Sequence, residues 1–290
     1  MALVTRRRAV TTLAAAVTGA VAAPSYAFAG ERTPHPHPRP LRRAHAHNDY
    51  LHPRPLHDAL AHRFTSVEAD IFLVDGELLV AHDPWDLDPA RTLKSLYLDP
   101  LLARVKDHRG CVYPGYHKPV QLLIDIKADG AAAYLELHRQ LRRYRRLFTT
   151  YTYGKVRPAA VTAVISGDRA ARAPMESQRL RYAFYDGRLA DLESPAPAPA
   201  SLIPLISDNW FQHFTWRGWG PMPAAEREKL RTIMATAHSR GQRVRFWATP
   251  DLPGQERGAV WSELIDANAD HINTDDLRAL EAFLDAYDRP

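Results

Sequence analysis

The segment Val67-Glu68-Ala69-Asp70-Ile71 places two carboxylates two residues apart in an otherwise apolar run. Strand side chains alternate, so Glu68 and Asp70 share one face while Val67, Ala69 and Ile71 share the other. With the apolar face packed against other elements, both acids point inward together. Desolvation and mutual repulsion penalise that arrangement unless a cation lies between them. A hard divalent ion with oxygen ligands, Mg²⁺ or Ca²⁺, removes both penalties. The plainer alternative is an amphipathic strand with one wet face. Leu122-Leu123-Ile124-Asp125-Ile126-Lys127 repeats the pattern, with Asp125 and Lys127 on one face at the end of an apolar strand. Asp125 is a candidate third metal carboxylate, and Lys127 a point charge for a substrate phosphate. A strand-end salt bridge between them is the simpler alternative.

Histidines add acid–base chemistry. His45 and His47, in Ala44-His45-Ala46-His47-Asn48-Asp49, face the same way by alternation, and His82 follows a strand-and-turn unit in Leu79-Val80-Ala81-His82-Asp83. An imidazole near its ordinary pKa suits proton transfer at neutral pH. Two of them flanking a metal-bound phosphate meet the needs of in-line diester cleavage: one takes a proton from the nucleophile, the other protonates the leaving oxygen. A His-x-His pair also occurs in zinc hydrolases, which keeps a zinc amide or ester hydrolase open as a rival. Arg245 and Trp247 alternate inward on another strand, where Trp247 walls a substrate pocket or packs in the core. Asn273 and Asp275 end the last strand at the same rim, and Asn273 is a candidate substrate contact.

Those side chains need a scaffold that brings strand ends together. Candidate strands are 43–48, 66–73, 120–126, 160–166, 182–185, 202–207, 243–248 and 271–274, with helix-like stretches at 56–64, 93–107, 131–148, 224–240, 259–268 and 276–287. Eight strands, each followed by a helix or loop, suit a (β/α)₈ TIM barrel, in which active sites sit at the C-terminal ends of the strands. A doubly wound open sheet is the alternative. Pro223 before one helix and Gly241 after it punctuate as helix ends do. The Pro-Ala run at 194–200 reads as a stiff surface loop.

The chain has 290 residues, 46% hydrophobic and 24% charged, an ordinary globular composition that excludes a fibre or a disordered tail. Its single cysteine, Cys111, excludes a disulfide framework and multi-cysteine metal sites. The formal net charge is +5, but Arg6–Arg8 supply three of those charges, so the basic balance does not call for a nucleic-acid partner. Arg6–Arg8, the small apolar run at 9–23 and Ala27-Phe28-Ala29 read as a signal peptide over 1–29, which resembles the twin-arginine type, with a plain Sec signal as the alternative. A Pro/His-rich linker at 30–41 and a catalytic barrel at 42–290 follow. The mature protein is expected to be secreted or extracytoplasmic and monomeric. The basic stretch Arg139–Arg146 could touch anionic lipid transiently, but reads best as a solvated helix face.

Taken together, these motifs resemble the glycerophosphodiester phosphodiesterase and phosphatidylinositol phospholipase C superfamily of metal-assisted barrels. Glu68-Ala69-Asp70 resembles its E-x-D metal pair. The stretch from Asp75 to Asp83 resembles the segment carrying its second catalytic histidine, which maps to His82. Asp125-Ile126-Lys127 resembles its E-I-K stretch, and Asn273-Thr274-Asp275 its T-D ending. The family's H-R-G motif is replaced by His45-Ala46-His47, so either imidazole maps to the first catalytic histidine, and the P-E-N-T stretch is absent. The Asp125/Lys127 pair and Trp247 are similar to features of sphingomyelinase D enzymes. His-Asn-Asp-Tyr at 47–50, with the segments near 55–60 and 92–98, most resembles the group named for altered inheritance of mitochondria protein six. The resemblance implies a divalent-cation-dependent phosphodiesterase acting on glycerophosphodiesters or phospholipid headgroups. A non-catalytic barrel that binds a phosphate ligand is the rival outside the enzyme class.

Overall fold

The computed structural model describes residues 39–287; the expected signal peptide and most of the linker lie outside them. Eight parallel strands form the framework: β1 (Leu41–Ala46), β2 (Phe64–Val74), β3 (Val120–Ile126), β4 (Val161–Gly167), β5 (Ala183–Gly187), β6 (Leu205–Asn209), β7 (Arg243–Trp247) and β8 (His271–Thr274). Their order is β1-β8-β7-β6-β5-β4-β3-β2, and β1 also pairs with β2, which closes the sheet. The protein is therefore a (β/α)₈ barrel rather than an open sheet. Glu77–Val80 pairs antiparallel with the outer end of β2 as a hairpin. A separate small antiparallel sheet, unmarked in the sequence reading, joins Thr150–Thr152 to Lys155–Arg157 and Leu180–Arg181.

Alternation along the strands divides the core. Val67, Ala69 and Ile71 of β2 and Leu122, Ile124 and Ile126 of β3 are fully buried in the large cluster between the sheet and the helical layer. Each such Ile or Leu contributes about 1.5–3 kcal/mol through apolar burial. Among the described residues, only Leu123, Val164 and Leu205 form an apolar cluster of their own inside the barrel. Much of the remaining interior is polar: Ser66, Glu68, Gln121, Ser166, Asp186, Ser207, Arg245 and His271 are all buried.

The helices largely follow the expected stretches: Gly130–Arg143, Ala224–Ser239, Gln255–Asp266 and Leu277–Tyr287. Helix Asp99–Asp107 is preceded by a widened turn at Lys94–Leu98, and the helix expected over 56–64 shrinks to His57–Ala61 because Phe64 opens β2. The described residues form one compact unit that includes the Pro-Ala loop. Among the described residues, no helix is long and apolar enough to cross a membrane.

Candidate active site

Parallel register brings the site together. On β2 and β3, Asp70 lies opposite Asp125; on β1, His45 lies opposite Ser66 of β2 and Asn273 of β8. Two further residues along β1 carry the chain about 6.6 Å towards the rim. That distance separates the surroundings of the two neighbouring histidines.

His45 is fully buried. Arg245 Nη1 donates to His45 Nε2 and to Glu68 Oε2, each at 2.7 Å. Because a guanidinium only donates, the ring proton is assigned to Nδ1, which donates to Ser66 Oγ at 2.6 Å. Burial, then the Arg245 charge, lower the His45 pKa to about 3. His45 is thus a neutral imidazole with both nitrogens occupied. These contacts weigh against proton exchange between His45 and a substrate.

His47 sits higher, with its side chain 26% exposed. Its Nδ1 is 2.7 Å from Asp275 Oδ1, across from the end of β8. Burial opposes the imidazolium, but the Asp275 hydrogen bond and the Glu68 charge outweigh it and raise the His47 pKa. With the Nδ1 proton directed at Asp275, Nε2 has no hydrogen-bond partner among the described residues. His82 repeats the pattern: its Nδ1 lies 2.9 Å from Asp83 Oδ2, and the side chain is exposed. The backbone anchors it near the cluster, since Ala81 N donates to Asp70 O at 3.3 Å.

The carboxylates are held by protein cations. Lys127 Nζ lies 2.7 Å from Asp70 Oδ2 and 3.2 Å from Asp125 Oδ1. Burial alone would depress this ammonium, but the two acids outweigh it and raise its pKa. Tyr50 donates its phenol proton to Asp70 Oδ2 at 2.6 Å. Burial, followed by the Glu68 charge, pushes Asp70 up to about 6 against the pull of Lys127. Burial raises Asp125 likewise, with Lys127 opposing. Glu68 goes the other way. Burial would raise it, but the Arg245 charge holds it well below the usual carboxylate range. Gly167, at φ +80°, ends β4 against this cluster: a Cβ there would strike Ile126 O and reach 2.7 Å from Asp125 Oδ1.

Among the described residues, no three His, Cys, Asp or Glu side chains stand together as a metal-ligating group. The expected triad is instead divided, with Lys127 bridging Asp70 and Asp125 and Arg245 paired with Glu68. Several features still fit a hard cation. Asp70 Oδ1 and Asn273 Oδ1 are buried without a hydrogen-bond partner. Burial and crowding disfavour the ionised forms of Asp70 and Asp125. The contacts of Arg245 and His45 with Glu68 fall on Oε2 alone, leaving Oε1 for another role.

Trp247 ends β7 half-buried, opposite Asn209 of β6, and Asn273 is buried opposite His45. Sequence reasoning missed the pairing of Asp275 with His47 and of Arg245 with Glu68. It also missed Arg188, whose Nη1 donates to Asp186 Oδ2 at 2.8 Å. Asp186 Oδ2 accepts from Ser166 and Ser207 as well, which fixes the acid and through it the arginine. Arg245 was legible as inward-facing, but its partner was not.

Comparison with known proteins shows the family. The profile described as an AIM6-like phosphodiesterase domain matches residues 39–186. That of the glycerophosphoryl diester phosphodiesterase family matches residues 243–278, which carry β7 and β8. The chain is 30% identical over 279 residues to Altered inheritance of mitochondria protein 6 of Eremothecium gossypii, covering 84% of this chain and 69% of the relative. It is 27% identical over 266 residues to the Arthroderma benhamiae homolog, covering 82% of each. The Candida glabrata protein of the same name is 26% identical over 288 residues, covering 82% and 70%.

Proposed function

The chain belongs to the AIM6-like phosphodiesterase family, and from that premise we propose that it is a divalent-cation-assisted phosphoric diester hydrolase, exported from the cytoplasm. Its substrates are glycerophosphodiesters or phospholipid headgroups. The observation that carries this reading is the pair of imidazoles, each with a carboxylate at Nδ1, set beside the Asp70–Lys127–Asp125 cluster.

Asp70, Asp125 and Glu68 Oε1 are the oxygens that would hold Mg²⁺ or Ca²⁺, with Lys127 turned from its carboxylates towards the phosphate. When bound, the cation supplies charge neutralisation for the phosphoryl oxygens. His47 Nε2 accepts the proton of the attacking hydroxyl, from water or from the substrate itself, while Asp275 stabilises the imidazolium that forms. His82 returns a proton to the leaving oxygen. Lys127 and Arg188 offset negative charge that builds on the phosphate. Trp247 and Asn273 line the substrate's approach. His45 serves through Glu68 and Arg245, as a positioning residue.

The zinc-hydrolase alternative needs His45 and His47 as joint ligands. The hydrogen bonds on both His45 nitrogens weigh against it. A lipid headgroup is favoured over a soluble diester by the rim. Leu51, Trp85, Phe211, Trp219 and Leu252 are exposed in the short helices and loops that follow β1, β2, β6 and β7. Exposed aromatic and aliphatic side chains at one mouth suit transient contact with a membrane surface. This rim is a better candidate for such contact than Arg139–Arg146, where Arg139 is tied to Glu136.

The test is a panel of glycerophosphocholine, lysophosphatidylcholine and sphingomyelin, with products resolved as cyclic or open phosphates. Hydrolysis that is lost in His47→Gln and in His82→Gln supports the proposal. Ligand binding without turnover of any diester favours the non-catalytic barrel.

A further inference from the structure

At the opposite mouth of the barrel lies a cavity of about 950 Å³. It is bounded by the starting residues of the strands: Leu41 of β1, Thr65 of β2, Gln121 of β3, Thr162 of β4, Arg243 of β7 and His271 of β8. The proposed catalytic side chains all stand at strand ends, so the two sites occupy opposite faces.

The charge around this cavity is one-sided. Arg39, Arg42, Arg43, Arg63, Lys118 and Arg243 line it, against Asp270 and Asp285. Both acids are already engaged. Asp285 Oδ2 accepts from Arg63 at 2.5 Å, and Asp270 Oδ2 accepts from Val244 N at 2.9 Å and lies 2.8 Å from His238 Nε2. Among the described residues, Arg39, Arg42 and Lys118 have no ion pair with a carboxylate. Arg43 donates to Asn268 Oδ1 and to Ala269 O, both neutral.

Deeper in, Arg243 has neutral partners as well. Its Nη2 donates to Gln121 Oε1 at 2.6 Å and its Nη1 to His271 Nε2 at 3.1 Å. Burial disfavours this charge and lowers its pKa. Since His271 Nε2 accepts, its ring proton is assigned to Nδ1, and that atom is buried without a partner. His271 itself is only 3% exposed. The fields of these cations converge on Tyr116, another lining residue. Burial dominates and raises its pKa, while Arg42, Arg39 and Arg243 each pull it down.

Uncompensated cations around a concave, low-dielectric wall focus a positive potential. Guanidinium forks match phosphate oxygens bidentately, and charge-assisted bonds of that kind are the strong ones. We propose that this mouth is a second binding site, for the polyphosphate group of a small anion, held by Arg42, Lys118 and Arg243 independently of the catalytic face. Inorganic polyphosphate and nucleoside triphosphates share the recognised chemistry.

Calorimetric titration of the full chain with tripolyphosphate, with ATP and with orthophosphate tests this. The expected result is one tripolyphosphate per chain, weakening as salt is raised, with orthophosphate at least tenfold weaker. ATP binding more tightly than tripolyphosphate would identify a nucleotide as the source; equal or weaker binding would identify inorganic polyphosphate. Arg42 and Lys118 are exposed, so the double variant Arg42→Gln/Lys118→Gln should fold, checked by an unchanged unfolding temperature without anion. It should bind tripolyphosphate at least tenfold more weakly. No binding at millimolar tripolyphosphate, or binding unchanged in the double variant, would overturn the proposal.

Discussion

Asp275 Oδ1 lies 2.7 Å from His47 Nδ1, joining the end of β8 to the end of β1. The acid fixes the tautomer and leaves Nε2 facing outward as the basic atom. Asp275→Asn should leave the fold intact and lower kcat by about 10²-fold, within the range general-base catalysis supplies. His47 titrates above its ordinary value because of Asp275 and Glu68. The acidic limb of the rate profile, which reports a base that must be neutral, should therefore move to lower pH in the variant. The same pair gives a stability term of defined sign: fully present below the unfolded imidazole pKa, and lost as pH rises through the folded one.

His45 carries the opposite sign. Its folded pKa is lowered to about 3, from 6.5 unfolded. The unfolded chain binds the extra proton between those values, so stability from this residue is present above 6.5 and falls as pH drops towards 3. His45→Gln should cost about 1–3 kcal/mol near neutrality, the range for losing a buried hydrogen-bond partner. The variant should also show a shallower loss of stability between those pH values. Urea denaturation at several pH values measures both effects.

Arg245 and Glu68 form a buried ion pair, with side chains 4% and 6% exposed. Removing one partner leaves the other charge uncompensated. Arg245→Leu should destabilise the protein by about 3–5 kcal/mol. Replacing both residues together with apolar ones should recover part of that loss. Denaturant unfolding of the single and double variants reads the difference.

Asp70 is held up to about 6 by burial and by Glu68. A bound divalent ion must displace that proton, so cation affinity should fall steeply below this pH. Mg²⁺ or Ca²⁺ should raise the unfolding temperature of the wild type at pH 7.5, more weakly at pH 5.5, and not at all in Asp70→Asn.

The exposed rim gives a separate expectation. Trp85→Ser together with Trp219→Ser should reduce sedimentation with phosphatidylcholine–phosphatidylglycerol vesicles, with hydrolysis of a soluble diester little changed. Charge removal within Arg139–Arg146 should have less effect on sedimentation.

The barrel was legible because its outer face is apolar at every second strand residue, as in Val67, Ala69 and Ile71. Among the strands whose positions slipped, the first, expected at 43–48, is Leu41–Ala46, and two later ones share one physical cause. The strand expected at 182–185 is Ala183–Gly187, and that expected at 202–207 is Leu205–Asn209. Asp186, Asp208 and Asn209 read as strand-ending polar residues, yet a polar interior lets the strand continue through them. The acids and histidines stood out by type, and alternation placed them on one face. Depth did not follow from alternation: His45 and His47 point the same way, but one is sealed under Arg245 and the other reaches the rim. Pairings such as Asp275 with His47 span more than two hundred residues, and only barrel closure brings them together.

Diester hydrolysis before and after chelation decides the matter. Wild-type protein should release product from at least one glycerophosphodiester or phospholipid in ³¹P spectra, lose that activity in EDTA, and regain it with excess Mg²⁺ or Ca²⁺. Turnover that continues unchanged in EDTA would contradict a cation held by Asp70, Asp125 and Glu68.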